Sequence, residues 1–281
     1  MIYLEDAIST YIHSQKFTRL AVNTKRIYLD GIKTLEDRLP LEVKLKAITR
    51  PMVIGLRDQL YQQPGKLHGA MSVLSNILKY AYDRGYVDRN VATGVGDMPK
   101  SVEVPRWQEG EIDRWMDGAP YHLKDAMMVA LYTGQRKSDL VKMEWADYDG
   151  ATIHVVQKKT GVELWIPVHP RLKKHLDGMK MRLPQRGTRV PCNRILQNHY
   201  HQPWSSEALR AAFKRRSAAV GITGRSLHGI RKTCASILAE MGCTALQIMS
   251  ITGHQTLKEI VRYTKEAEKK RMAQEAIDKW H

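Results

Sequence analysis

Apolar residues recur every three or four positions over most of this 281-residue chain, the spacing that turns one face of an α-helix toward a core. Before residue 94 the stretches YLEDAISTYIHSQKF, NTKRIYLDGIKTLEDRL, ITRPMVIGLRDQLYQ and LHGAMSVLSNILKYAYDRG follow that rule, and each predicts a helix. Thr49 is placed to cap the third, with Pro51 in the first turn where a missing N–H costs little. Gly85 stops the fourth. GVGDMPKSVEVPRW then loses the period and gathers Gly and Pro. It predicts a linker over 94–106 between a helical unit over 1–93 and a second domain over 107–281.

Helical spacing returns in EGEIDRWMDGA, LKDAMMVALYTG, RLKKHLDGMKMRL, SSEALRAAFKRRSAAV, HGIRKTCASILAEMG, TALQIMSIT and TLKEIVRYTKEA, with a further piece around KKRMAQEAIDKW. Between them TIHVVQ and VELWIPV alternate apolar and polar positions. Ile153 and Val155 share one face of the first; Val162, Leu164, Ile166 and Val168 share one face of the second. The intervening KKTG makes 152–168 a β-hairpin with lysines at its tip. The predicted fold class is mainly α with a small antiparallel β-sheet, in two domains.

Charge narrows the partner. Lys and Arg number 45 against 29 acids, a formal net charge of +16, which favours a polyanion because each cation meeting a phosphate releases condensed counterions. No apolar run nears the roughly 18–20 residues that cross a bilayer, and MIYLEDAIST carries no signal pattern. Cys192, Cys234 and Cys243 lack a C-x-x-C spacing and read as reduced thiols of a cytoplasmic protein. Cys192 with His199 and His201 makes a poor metal site, since no second ligand lies close to the cysteine. GVG at 94–96 lacks a third glycine and a preceding strand, so no nucleotide-cradling loop is expected. Paired acids suited to divalent metals are missing as a convincing set. Phosphate chemistry in such a chain falls to side chains alone.

Four pieces suit that task. In TGQRKSDL, Arg136 follows a Gly turn and opens a helix, offering a planar fork for two phosphate oxygens. Lys158 and Lys159 sit at the hairpin tip. In LHGIR, His228 and Arg231 share a helix face. GHQTLKEIVRYTK holds His254 and, nine residues on, Tyr263. Singly, each is an ordinary surface or packing feature.

Their order and joint spacing resemble the tyrosine recombinases, also called phage-type integrases, through Arg136, Lys159, His228, Arg231, His254 and Tyr263. The likeness covers nearly the whole chain. ILKYAYDRGYVDRNVATGV looks like the end of that family's core-binding domain, with Asn-Val where Asn-Pro is common. Gly-Gln-Arg replaces a frequent Gly-Leu-Arg. Asp139 stands where glutamate is frequent and is expected to orient Arg136. The adjacent Lys158 leaves the lysine open by one position, with the K-T-G pattern favouring Lys159.

The resemblance implies an N-terminal helical, SAM-like core-binding domain that clamps double-stranded DNA, and a C-terminal catalytic domain. It implies that Tyr263 attacks a phosphodiester to give a 3′-phosphotyrosine and a free 5′-hydroxyl. His228 would be the base and Lys159 the general acid; Arg136, Arg231 and His254 would hold the non-bridging oxygens. Neither metal nor nucleotide cofactor is expected. A homo-tetramer on DNA, joined through the C-terminal tail, and DNA-bending accessory proteins are further implications. The implied role is integration or excision of a prophage or genomic island. The alternatives are chromosome-dimer resolution, a type IB topoisomerase-like activity, or a catalytically silent DNA-binding accessory factor.

Overall fold

The computed structural model describes residues 2–99, 104–183 and 192–280. Contacts divide the chain into two compact units, Met1–Val102 and Glu103–His281.

The first unit contains α1 (Leu4–Ile12), α2 (Gln15–Thr18), α3 (Val22–Glu36), α4 (Arg50–Leu60) and α5 (Pro64–Tyr82). The first expected helix is two. Ser14 Oγ accepts from the Phe17 N–H at 3.2 Å and starts α2, because a serine gains more by capping orphan donors than by sitting inside a helix. Tyr11 and Phe17 then meet edge-on at 5.7 Å. Thr49 caps α4 as the sequence predicts, accepting from Met52 N. A Cβ on Gly31 of α3 would lie 2.7 Å from the Gly69 carbonyl oxygen of α5. The two backbones therefore touch at a point only glycine permits. Leu4, Leu35, Leu56, Leu67, Leu74 and Ile77 lie in the core of this unit. Arg50 and Arg57 donate to the carbonyls of Thr93, Gly94 and Gly96, which ties the Gly-rich segment to α4.

The second unit contains α6 (Glu109–Met116), α7 (Tyr121–Thr133), α8 (Lys137–Leu140), β1 (Thr152–Val156), β2 (Glu163–Pro167), α9 (Pro170–Met181), α10 (Ser206–Ala219), α11 (Leu227–Glu240), α12 (Ala245–Thr252) and α13 (Leu257–Asp278). β1 and β2 pair antiparallel, Ile153 opposite Ile166 and Val155 opposite Leu164, and these four are buried in the core. Trp107 packs edge-on against Trp115 and donates its indole N–H to Ser226 O at 2.9 Å. The glycine of LHGIR has a packing reason: a Cβ on Gly229 would lie 2.7 Å from Pro105 O, so the chain entering this unit lies against α11. The two helical pieces expected after residue 256 are one helix, α13. No Gly or Pro occurs between 257 and 278, and nothing else interrupts the backbone ladder. Ile260 anchors its first turns among Ala235, Ala239 and Ile248. Among the described residues no helix is long and apolar enough to cross a membrane.

Candidate active site

α7 and α12 each end on a left-handed glycine, Gly134 at φ 61° and Gly253 at φ 70°, and the carbonyls at both ends point at one guanidinium. Arg231, on α11 and 2 % exposed, donates Nη1 to Gly134 O at 3.0 Å and also to Thr252 O. Helix C-termini carry partial negative charge, and this offsets part of the cost of burying a cation. Among the described residues the guanidinium hydrogen-bonds no carboxylate, and its buried Nη2 has no partner. Burial, then the nearby Arg136 charge, push Arg231 down to about 10; it stays cationic at neutral pH.

His254 lies just beyond α12. Its Nε2 faces the Arg231 Nε–H at 3.3 Å, and its Nδ1 lies 2.7 Å from Thr252 Oγ1. That hydroxyl donates to Ile248 O at 2.7 Å. One tautomer satisfies all three contacts: Nδ1–H donates to the threonine, and Nε2 accepts from the arginine. Burial first, then the charges of Arg231 and Arg136, hold the ring neutral by lowering its pKa to about 3. His254 thus orients Arg231, with its Nε2 already engaged.

Arg136 occupies the N-cap position of α8 and donates Nη1 to Gln157 Oε1 at 2.5 Å. The expected partner was Asp139. That carboxylate is buried and accepts instead from the Lys158 backbone N–H at 3.0 Å and the Ser138 hydroxyl at 3.2 Å. Its Oδ1 holds the hairpin turn, its buried Oδ2 has no hydrogen-bond partner among the described residues and its charge acts on Arg231, while Arg136 is hydrogen-bonded to an amide. Gln157 and Gln135 belong to the site and are not among the six sequence candidates. The signal was present for Gln157, which continues the inward parity of Ile153 and Val155 while being polar.

His228 and both hairpin lysines are exposed at the surface. Loss of hydration, followed by the charges of Arg231, Lys232, Arg136 and Lys159, holds His228 below the usual imidazole range. Of the two hairpin lysines, Lys159 is the one whose charge bears on that ring. Tyr263, half-buried on α13, has its ring centroid 6.4 Å from that of His254. The structure thus brings the six sequence candidates near one another: Arg136 and Arg231 act on both histidines, Lys159 acts on His228, and the phenol packs beside His254. Among the described residues no group of three or more His, Cys, Asp or Glu side chains is placed to hold a metal.

Residues 107–270 match the model of the phage integrase family. The chain belongs to the phage integrase family. This member is similar to the integrase of Escherichia phage lambda, 27% identical over 208 residues that make up 70% of this chain and 56% of that one. It therefore spans little more than half the length of that curated relative. Its fold matches a crystal structure of lambda integrase residues 75–356, a dimer bound to a COC′ core site, with TM-score 0.79, 23% identity and coverage of 91% of this chain and 96% of that one. It also matches a lambda integrase tetramer bound to a Holliday junction, with TM-score 0.78, 23% identity and coverage of 91% and 78%.

Proposed function

We propose that this phage integrase family member is a site-specific DNA recombinase that cuts and rejoins duplex DNA through a covalent bond to Tyr263. The observation that carries this reading is the pair Arg136 and Arg231. Both are held by neutral oxygens, and Arg231 keeps a buried, unpartnered Nη2. Two cations hydrogen-bonded to neutral oxygens and to no carboxylate among the described residues form a site for an anion, and a phosphodiester offers two non-bridging oxygens to it.

The remaining groups supply the proton traffic. A free phenol has a pKa near 10, so ionising it at pH 7 costs about 4 kcal/mol. His228, neutral at pH 7, accepts that proton as Tyr263 Oη bonds to phosphorus, a contribution of about 10²–10⁴-fold. Lys159 gives a proton to the departing 5′-oxygen, leaving a 3′-phosphotyrosine and a 5′-hydroxyl. His254 fixes Arg231. A second 5′-hydroxyl reverses the steps and reseals the strand. In this reading Met1–Val102 is a SAM-like core-binding unit that grips the same duplex. The exposed Met272, Ile277 and Trp280 of the tail support docking on another protomer in a tetramer. Integration or excision of a mobile element is the role that similarity to a phage integrase supports.

The test uses a pool of nicked duplexes of random sequence, with covalent protein–DNA adducts recovered after denaturation. Wild type should form adducts. Tyr263→Phe should retain DNA and form none; adducts persisting on that variant would reject the assignment.

A further inference from the structure

Gln157 is fully buried and makes every hydrogen bond its amide can make. Oε1 accepts from Arg136 Nη1 at 2.5 Å and from the Thr160 hydroxyl at 3.0 Å. Nε2 donates to Gln135 Oε1 at 2.6 Å and to Thr252 O at 2.8 Å. The partners fix which end is which: the reverse orientation would set an N–H₂ against the guanidinium and an oxygen against a carbonyl. Gln135, 1 % exposed, is seated in turn, donating Nε2 to Thr133 O at 2.9 Å and Ile251 O at 2.8 Å. A Cβ on Gly253 would overlap the Gln157 amide, so the loop leading to His254 is closed directly onto it. The Gly161 N–H returns to Gln157 O at 2.8 Å, which places Lys159 inside the turn that this residue closes.

An arginine that must meet a phosphate has conflicting needs. Its long side chain must be fixed, because catalytic geometry is lost with displacements of about 1 Å. A carboxylate would fix it and cancel its charge at the same time. An amide oxygen orients the fork and leaves the full positive charge for the substrate.

We propose that Gln157, seated on Gln135, is a positioning residue that aims Arg136 at the substrate anion through a neutral amide oxygen. The proposal rests on the recombinase reading, because it takes a phosphodiester as that anion.

The experiment is a double-mutant cycle on the rate of adduct formation with the nicked duplex pool, comparing wild type, Gln157→Met, Arg136→Ala and the double variant over long single-turnover incubations. Gln157→Met should slow adduct formation on the order of 10²-fold with DNA retention close to wild type, and should lower thermal stability because it leaves buried partners unpaired. In the Arg136→Ala background the same change should cost nothing more, because its target is gone. An equal loss in both backgrounds, or no loss in either, overturns the proposal while the recombinase reading stands. A wild type that forms no adduct overturns both. Should Gln157→Met fail to fold, Gln135→Met removes the seat and leaves the Arg136 contact. Its smaller loss should likewise vanish without Arg136, and persistence of that loss overturns the proposal.

Discussion

The Lys158 backbone N–H lies 3.0 Å from Asp139 Oδ1, so a buried carboxylate holds the hairpin turn one residue before Lys159. The peptide is anchored while the next side chain stays free to reach into solvent or a groove. Lys159→Ala should therefore slow cleavage of ordinary DNA by about 10²–10⁴-fold, the usual worth of a positioned proton donor. On DNA whose 5′-bridging oxygen is replaced by sulfur the loss should be small, because a thiolate leaves without a proton. Lys158→Ala should change little on either substrate. Equal slowing of both DNAs by Lys159→Ala would move the general acid to another residue.

Gly253 and Gly161 both adopt φ near +70°, but their surroundings differ. A Cβ on Gly161 meets nothing within 4 Å, whereas one on Gly253 runs into the Gln157 amide. Gly161→Ala should lose about 1–2 kcal/mol from left-handed strain alone. Gly253→Ala should lose clearly more in denaturant unfolding, with slowed cleavage. Matching losses would mean the amide does not press on that loop.

His254 sets a sign for stability against pH. Its folded pKa, about 3, lies below the ordinary imidazole value, so the unfolded chain binds the extra proton first. Its contribution is complete above about pH 6.5 and is lost as pH falls toward 3, at no more than about 1.4 kcal/mol per pH unit. Unfolding free energies of wild type and His254→Asn, measured from neutral to acid pH, should converge as pH drops. A constant difference would show that the ring titrates normally in the folded protein.

If DNA is the partner as proposed, the charge excess predicts salt-dependent retention. If about eight phosphates are neutralised, log affinity should fall against log salt with a slope near −7. A slope near zero would remove nucleic acid as the partner.

Legibility in the sequence differed by kind of feature. Caps and breakers were plain: Thr49 with Pro51, and the glycines that end α5, α7 and α11, mark boundaries through local backbone chemistry. Ser14 was overlooked because the apolar period runs past it, although a capping serine can split a helix without disturbing that period. The division of α13 had no residue to cause it. The six candidate residues were legible as types in order. Their supports were not, because Gln157 draws its partners from Gln135 and Thr252, segments whose meeting only tertiary packing decides. Asp139 shows the same limit: its place in the motif suggested an arginine partner, and the fold presents it with the Lys158 amide.

α13 runs unbroken from Leu257 to Asp278 and carries Tyr263 in its second turn. From Tyr263 to the end of that helix is about 22 Å at 1.5 Å per residue, and an α-helix without Pro or Gly curves gently instead of hinging. The proposed nucleophile therefore stands on a shaft. Torque applied where Trp280 protrudes would be delivered to the phenol as rotation, so a partner that grasps the far end could set the aim of Tyr263 without entering the site.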